Sequence, residues 1–490
     1  MKVSEAASLM GANAEHLSAE IFDKEIRDFS IDSRSVGAGE LFFALSQADY
    51  ARAGFNGTFA DGHRFIPAAL NNGAIAAVAR ADHAHESEYL RPFIDRLLQV
   101  DDAIAALQEM ARRVYAAWNR PVVGITGSAG KTTAKEMTAH LLSKCGWRVL
   151  KSQRNYNNNL GLPLAVLQMV SLGRSPDEFD VAVLEMGMSS PTHEIQRLCQ
   201  ITPPDVGVEL MVAPVHLEYL GTIENVAAAK AELIEGLKPG GTAVLNADDE
   251  LVIKMREKHQ GRIITFGIEH EAAVTASEID TGRLGLIRFR LRTQLGEAVT
   301  ELPMSGRHNL MNALAASAVA TSFDIAPAAI AEGLRTTRPP KMRGEVLDFA
   351  AGFTAVDDSY NSNPRSLISM VRTIAEAGER KRRIVIAGEM LELGPAAAAL
   401  HREAGREIAE AGIDMLWGVR GLAQEILDGA AASGLTSTRF FASAEDAAIS
   451  LADEIRAGDL VLVKGSRGVE TDKVISVLRQ RFALAGAADR

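Results

Sequence analysis

Residues Val122 to Met137, VVGITGSAGKTTAKEM, have the types and spacing of a phosphate-binding loop. An apolar, β-branched run ends at Thr126, a glycine-framed loop follows, and Lys131 opens a stretch with helical periodicity. Glycines let successive backbone N–H groups turn toward an anion, a lysine reaches terminal phosphates, and a threonine hydroxyl can bind Mg²⁺. The pattern predicts that a nucleoside triphosphate is bound by Gly127, Ser128, Ala129, Gly130, Lys131, Thr132 and Thr133.

The loop departs from the full phosphate-loop pattern at one position, because Ile125 stands where a glycine is usual. The chain has the shorter pattern T-G-x-x-G-K-T. The alternative interpretation is an ordinary glycine-rich turn between a strand and a helix, with a solvated lysine. The strand–loop–helix order favours phosphate binding.

Two polar residues follow apolar runs and are candidate metal ligands. Glu185 ends the run in FDVAVLEMG, and His216 lies just past the run from Val206 to Val212. Carboxylates at the C-terminal ends of parallel strands lie near a phosphate loop, where a second Mg²⁺ ligand is useful. Alternatively, Glu185 pairs with a nearby cation and His216 is a hydrogen-bonded loop histidine. Lys230 lies in an alanine-rich stretch with a helical pattern, and taken by itself it is predicted to be a surface lysine.

An asparagine cluster, Asn155 to Asn159, precedes an apolar helix. Asparagine-rich turns are common, but such a cluster could also recognise a ligand with several hydrogen-bond acceptors. Composition alone leaves both interpretations open.

Composition excludes several classes of protein. The chain has 490 residues, a net charge of −11 and two cysteines. The acidic balance argues against a sequence-independent grip on nucleic acid, and two cysteines cannot build a disulfide framework. No long apolar segment predicts membrane insertion, and the N-terminus lacks the apolar core of a secretory signal. We expect a cytoplasmic protein.

Strand and helix patterns alternate from Val122 onward, which predicts an α/β fold with parallel sheets covered by helices. The stretch RTTRPPKM, Arg335 to Met342, contains two consecutive prolines and predicts a hinge. We expect three domains: a small N-terminal α/β domain over 1–100, a central phosphate-loop domain with a parallel sheet over 101–338, and a C-terminal Rossmann-like domain over 339–490.

Taken together, the motifs resemble those of the Mur ligases, the ATP-dependent amide ligases that build the peptidoglycan stem peptide. The segments that carry the resemblance are, in chain order, DSRSVGAGELFFAL, DGHRFI, TGSAGKTT, NYNNNLGLP, LEMG, HLEYLG, AAAKAE, SGRHNLMNALAA, DDSYNSNPRSL, AGEMLELG and LVKGSRG. DDSYNSNP and GEMLELG are similar to the branch that adds D-alanyl-D-alanine. Sister ligases that add the third stem residue carry an Asn-Pro-Arg element. Asn363-Pro364-Arg365 has the same letters but lies inside DDSYNSNP, so we do not assign that role to it.

The resemblance implies a role for each matching residue. Thr132 would bind one Mg²⁺, and Glu185 and His216 would hold a second, supported by Lys230, which family members often carry as a carbamate. The catalytic set would be Lys131, Glu185, His216 and Lys230. Beyond the phosphate loop, the ATP-binding residues would be Asn309, Asn312, Arg343 and Asp358. The substrate-binding residues would be Ser33 and Arg34 on the uridine nucleotide and Asn155, Asn157 and Asn158 on the muramoyl peptide.

The implied activity is ATP-dependent ligation of D-alanyl-D-alanine to UDP-N-acetylmuramoyl-tripeptide through an acyl phosphate, with ATP and Mg²⁺ as cofactors. We expect a monomer without a nucleic-acid partner. Two alternatives stay open: a sister Mur ligase that adds another stem residue, and a nucleotide-dependent switch without ligase activity. Folylpolyglutamate synthases would not need the N-terminal DSR and DGH motifs.

Overall fold

The computed structural model describes residues 1–55, 57–153, 156–188, 193–215, 217–378 and 380–485. Within them the chain forms three sheets, and the predicted α/β class is confirmed. The domain boundaries given above stay a prediction.

The N-terminal part contains a four-stranded parallel sheet in the order β1-β2-β3-β4. Its strands are β1 (Asp28–Ser30), β2 (Glu40–Phe43), β3 (Ala76–Arg80) and β4 (Leu97–Val100). Its helices are α1 (Val3–Met10), α2 (Ala19–Phe22), α3 (Gln47–Arg52), α4 (Ile66–Asn71) and α5 (Ala81–Glu86).

The central sheet has nine strands in the order β13-β12-β11-β10-β9-β8-β5-β7-β6. Its strands are β5 (Val122–Thr126), β6 (Val149–Lys151), β7 (Val181–Glu185), β8 (Val206–Glu209), β9 (Thr242–Asn246), β10 (Arg262–Gly267), β11 (Val274–Arg283), β12 (Leu286–Thr293) and β13 (Gly296–Leu302). All neighbouring pairs are parallel except β11–β12 and β12–β13.

Helices cover both faces of the central sheet, as βαβ connections require. They are α6 (Ala103–Trp118), α7 (Lys131–Lys144), α8 (Gly161–Leu167), α9 (Glu194–Ile201), α10 (Leu217–Leu220), α11 (Ile223–Glu235), α12 (Glu250–Ile253), α13 (Arg307–Ser322) and α14 (Pro327–Arg335). Val123 and Ile125 share an apolar core with α7 and α13, whereas Val122 and Leu184 share one with α9 and α11. The two faces of β5 are therefore both buried.

The C-terminal sheet has six strands in the order β14-β15-β19-β16-β17-β18, of which only β14 is antiparallel to its neighbour. Its strands are β14 (Glu345–Asp348), β15 (Thr354–Asp358), β16 (Arg382–Gly388), β17 (Met415–Val419), β18 (Thr438–Phe441) and β19 (Asp459–Lys464). Its helices are α15 (Pro364–Glu376), α16 (Ala397–Glu410), α17 (Ala423–Ala432), α18 (Ala444–Glu454) and α19 (Asp472–Arg481).

One apolar run ends its strand earlier than its composition suggests. The run from Val206 to Val212 is a strand only as far as Glu209. Beyond it, the Leu210 carbonyl accepts a hydrogen bond from Asn246 Nδ2 at 2.7 Å, and the Met211 carbonyl accepts one from the Ser128 backbone N–H at 2.8 Å. The chain leaves the sheet here because its backbone bonds to the loop after β5.

Candidate active site

The strand order places two acidic residues beside the loop that follows β5. In the register of the sheet, Glu185 of β7 lies opposite Ile125, and Glu209 of β8 lies opposite Thr126. Because successive side chains of a strand point to opposite faces, the two acids project from opposite faces of the sheet. Glu185 faces α7, and Glu209 faces α11.

The loop after β5 has the backbone that its glycines predict. Gly127 has φ of +150° and Gly130 has φ of +86°, and a Cβ on Gly130 would lie 2.4 Å from Oδ1 of Asn312. Gly130 is also the N-cap of α7. The loop therefore leads directly into the N-terminus of a four-turn helix, where free N–H groups and the helix dipole favour the binding of an anion.

Ser128 fixes this loop to the segment that follows β8. Its Oγ donates to the Ala213 carbonyl at 3.2 Å and accepts from the Ala213 N–H at 2.9 Å. Together with the bond to the Met211 carbonyl, these contacts tie the loop to residues 211–213, so the position of that segment sets the position of the loop.

Lys131 is a cation in a desolvated setting. Its Nζ donates to the Gly127 carbonyl at 2.8 Å. Burial lowers the pKa of Lys131, the carboxylate of Glu185 opposes that shift, and the Arg343 guanidinium adds to it. Arg343, which lies past the predicted hinge, thus faces the phosphate loop. A bound polyanion would stabilise both cations, because its negative charge would offset the cost of desolvating them and their mutual repulsion.

Glu185 joins the loop to the asparagine cluster. Its side chain is 3% exposed. Oε2 accepts from the Thr132 hydroxyl at 2.9 Å, and Oε1 accepts from Asn157 Nδ2 at 2.9 Å. A carboxylate beside a hydroxyl is an oxygen donor set of the kind Mg²⁺ prefers, so Thr132 and Glu185 fit this ion. His216 and Asn155 lie outside the described residues.

Lys230 does not lie on the surface: its side chain is 2% exposed, so the surface interpretation of the isolated residue is wrong. The apolar face of α11 packs on the sheet, and Lys230 is one of the buried residues of this helix. Burial and, to a smaller extent, the nearby Lys131 lower the pKa of Lys230 to about 7, although Glu209 opposes both effects.

Glu209 is a polar residue of this site that the sequence did not reveal. Its side chain is fully buried, and neither carboxylate oxygen has a hydrogen-bond partner. Burial raises the pKa of Glu209 to about 8, and Lys230 partly opposes this shift. The signal that identified Glu185, an acid after an apolar run, was also present here, but only the strand order shows that β8 borders β5.

We expect Glu209→Gln to raise stability in a pH-dependent way. A carboxyl group whose folded-state pKa exceeds its unfolded value contributes stability below the unfolded value, and this stability is lost as pH rises through the folded value. The variant should therefore gain over the wild type as pH rises from 4.5 toward 8. Thermal unfolding without nucleotide or Mg²⁺ should show a higher midpoint for the variant at pH 8.5, by at least about 2–4 °C, and a smaller difference at pH 5.5.

Glu235→Gln is the matched control, because Glu235 forms a half-exposed pair with Lys258 at the end of the same helix that carries Lys230. Its midpoint should follow the wild type at both pH values. An equal shift of the Glu209→Gln midpoint at pH 5.5 and pH 8.5 would contradict the assignment of Glu209 as the titrating group.

Comparisons with known proteins decide the family. Residues 125–320 match the model of the Mur ligase middle domain, and residues 342–467 match that of the Mur ligase glutamate ligase domain. The UDP-N-acetylmuramoyl-tripeptide–D-alanyl-D-alanine ligase of Bacillus subtilis is 30% identical over 92% of this chain and 93% of its own length. The chain belongs to the Mur ligase family. The resemblance inferred from the motifs is thereby confirmed.

Other relatives agree with this assignment. The Escherichia coli ligase of the same name is 32% identical over 92% of this chain and 93% of its own length. A crystal structure of MurF from Acinetobacter baumannii superposes with a TM-score of 0.82 at 26% identity, covering 98% of both chains. The MurF ligase of Thermotoga maritima in complex with ADP gives a TM-score of 0.76 at 26% identity, covering 93% of this chain and 97% of that one.

Within this Mur ligase, two of the predicted ATP-binding residues, Asn309 and Asn312, lie on α13. Asn309 is buried, and its Nδ2 donates to the Ser305 carbonyl at 2.8 Å. Asn312 is also buried and touches Gly130, as described above. The structure therefore brings Asn312 to the loop, whereas it shows the side chain of Asn309 bonded within its own helix turn.

The predicted nucleotide residue Asp358 is held by a cation that the sequence did not reveal. Lys464 Nζ lies 2.5 Å from Asp358 Oδ2 and donates to the Asn361 carbonyl at 3.0 Å. Lys464 ends β19, the strand next to β15 in the sheet. Arg343 stacks on the ring of Tyr360, 4.1 Å from its centroid. Lys464 thus holds Asp358, and Tyr360, which follows β15, holds Arg343.

The remaining substrate-side predictions have different surroundings. Ser33 and Arg34 follow β1, and the exposed Arg34 side chain pairs with Asp32 at 2.7 Å. Asn157 Nδ2 donates to Glu185 Oε1, so Asn157 lies beside the two residues that fit Mg²⁺, Thr132 and Glu185. Asn158 Oδ1 accepts from the backbone N–H groups of Leu160 and Gly161, which gives this side chain a role in starting α8.

Among the residues that the structure describes, one group has the spacing of metal ligands: Asp61, His63 and His83 in the N-terminal part. His63 Nε2 accepts the Arg80 backbone N–H at 3.0 Å, so its proton is on Nδ1, which lies 2.7 Å from Asp61 Oδ1. A protonated Nδ1 has no lone pair for a metal. This group is therefore a hydrogen-bond network.

No helix in the described part of the chain is long and apolar enough to cross a membrane.

Proposed function

We propose that this Mur ligase uses ATP to join D-alanyl-D-alanine to UDP-N-acetylmuramoyl-tripeptide, releasing ADP and phosphate, in peptidoglycan precursor synthesis. The similar proteins from Bacillus subtilis and Escherichia coli are both named UDP-N-acetylmuramoyl-tripeptide–D-alanyl-D-alanine ligase, and this name supports the two substrates. The observation that carries the chemistry is that Lys131 and Thr132 at the start of α7 lie near Glu185 at the end of β7, the strand next to β5. Because ATP and a nucleotide-linked sugar are the substrates, the proposal places the reaction in the cytoplasm.

The physical problem of the reaction is that a carboxylate and the ATP tail repel each other. A carboxylate is also a poor electrophile, because attack by an amine would have to expel oxide. Phosphoryl transfer to the carboxylate gives an acyl phosphate with a stable leaving group, and the deprotonated amine of D-alanyl-D-alanine then attacks the acyl carbon. Lys131 and Arg343 would bring positive charge to the transferring phosphoryl group, where catalysis depends on positioning and charge stabilisation.

Mg²⁺, when bound, would neutralise charge on the phosphates. Thr132 would hold one ion, and Glu185 with His216 would hold a second, with Lys230 in support. Gly127, Ser128, Ala129, Gly130 and Thr133 would bind the phosphates through the loop backbone, with Asn309, Asn312 and Asp358 on the nucleoside side. Ser33 and Arg34 would bind the uridine nucleotide, and Asn155, Asn157 and Asn158 the muramoyl peptide.

We further propose that residues 1–100, 101–338 and 339–490 act as separate domains, which hold the uridine nucleotide, hold ATP, and close over both. Closure would keep water away from the acyl phosphate. We propose that each chain acts as a monomer.

Phosphate release with different acceptors tests the proposed function. With ATP, Mg²⁺ and UDP-N-acetylmuramoyl-tripeptide, we expect phosphate release to depend on D-alanyl-D-alanine and to stay near the level without acceptor when single amino acids replace it. Mass spectrometry should find the pentapeptide product. Release that needs a single amino acid would indicate a sister ligase, and release that is indifferent to acceptor would indicate a switch protein.

A further inference from the structure

Arg365, on the first turn of α15, contacts the central domain. Its Nη1 donates to the Val212 carbonyl at 2.9 Å and lies 3.6 Å from Asp249 Oδ2. The guanidinium thus reaches from the C-terminal sheet region to the segment that follows β8. Asn363 caps α15 by accepting the Ser366 N–H at 2.9 Å, which fixes the helix start and the direction of Arg365.

The acceptors of Arg365 are themselves rigid. Asp249 is buried, and its Oδ1 accepts the backbone N–H groups of Leu251 and Val252 at 3.1 and 3.2 Å. Its Oδ2 accepts the Val212 N–H at 3.0 Å. Val212 is therefore held on its N–H side by the central domain and on its carbonyl side by the C-terminal domain.

Val212 lies between the two residues that fix the phosphate loop. Met211 accepts the Ser128 N–H, and both backbone groups of Ala213 bond to the Ser128 hydroxyl. A displacement of Val212 would therefore move Ser128. The chain of contacts runs from Arg365 through residues 211–213 to the loop.

We infer that Arg365 is a positioning residue, which couples docking of the C-terminal domain to the geometry of the phosphate loop. The inference rests on the proposed function for its kinetic consequence, but the coupling itself concerns the protein alone. With Arg365 in place, the loop takes its shape when the C-terminal domain is docked. ATP would then be positioned for transfer only in that state.

Arg365→Ala should lower kcat for ligation about tenfold, because a charge-assisted hydrogen bond from a half-exposed arginine is lost. The KM for UDP-N-acetylmuramoyl-tripeptide should stay near the wild-type value. Arg365→Lys keeps one donor and a positive charge, so it should restore part of the loss. Arg372→Ala is the matched control, since Arg372 lies on the same helix and pairs with Glu407 inside the C-terminal domain.

Hydrogen exchange with a non-hydrolysable ATP analogue and Mg²⁺ tests the coupling without turnover. We expect Arg365→Ala to speed exchange in residues 127–130 and 211–213, with the rest of the central domain and the thermal midpoint unchanged, and Arg372→Ala to leave both segments as in the wild type. Unchanged exchange in these segments, or an equal effect of Arg372→Ala, would overturn the inference. A wild type that does not ligate would contradict the proposed function and leave the exchange result to decide on Arg365.

Discussion

Lys131→Ala is expected to lower ATP-dependent ligation by at least about 10³-fold while the protein stays folded. Lys131 is the cation of the phosphate loop, and its Nζ already lies at the loop, on the Gly127 carbonyl. Without it, the transferring phosphoryl group loses a positive charge in a desolvated setting, where such a charge has a larger effect than in water. The measurement is kcat from coupled ADP release with both substrates at saturation.

The fold of the Lys131→Ala variant should not suffer. Burial lowers the pKa of this lysine, so the ammonium is held there at a cost to stability that alanine removes. We expect a thermal midpoint at or above that of the wild type. Lys144→Ala, at the exposed far end of the same helix, is the control and should keep full activity. Near-normal turnover of Lys131→Ala would refute the assignment of the loop.

Glu185→Gln is expected to lower ligation by about 10²- to 10³-fold and to raise the Mg²⁺ concentration needed for half-maximal activity. Glutamine keeps the shape of the side chain but has no negative charge and only one acceptor oxygen. Glu185 accepts on both oxygens, from Thr132 and from Asn157, so the variant loses the charge and one of the two acceptor positions.

Binding of Mn²⁺, followed by electron paramagnetic resonance in the presence of ADP, separates the metal from the chemistry. The Glu185→Gln variant should bind fewer ions or bind them more weakly. Glu235→Gln, whose surface pair with Lys258 contributes little, is the control and should bind Mn²⁺ as the wild type does. Wild-type Mn²⁺ binding by Glu185→Gln would exclude this residue as a metal ligand.

Much of the fold could be predicted because its signals are local. The sequence pattern of residues 101–118 predicts a helix, and the helix begins at Ala103, since Asp102 caps it through the N–H groups of Ile104 and Ala105. Apolar residues on one face of residues 364–378 predict another helix, which in the structure begins at Pro364 and ends at Glu376. Such boundaries depend on caps and periodicity within a few residues, which a single sequence contains.

Strand lengths were less predictable where the partner decides them. The strand that begins at Val206 ends at Glu209, because the next carbonyls accept from the Asn246 side chain and from Ser128 rather than from the backbone of a neighbouring strand. Hydrophobicity continues through Val212, so the apolar run alone gave no sign of this end.

The sequence by itself determined the phosphate loop of this protein, because Gly127 to Thr133 are consecutive and their geometry follows from glycines at a helix start. Tertiary structure alone decided the surroundings of that loop. The strand order put Glu209 beside it, the packing of α11 buried Lys230, and docking of the C-terminal domain brought Arg343 to it and Arg365 to the adjoining residue Val212. Those contacts join residues far apart in the chain, and side-chain periodicity shows which face of an element is buried but not which element covers it.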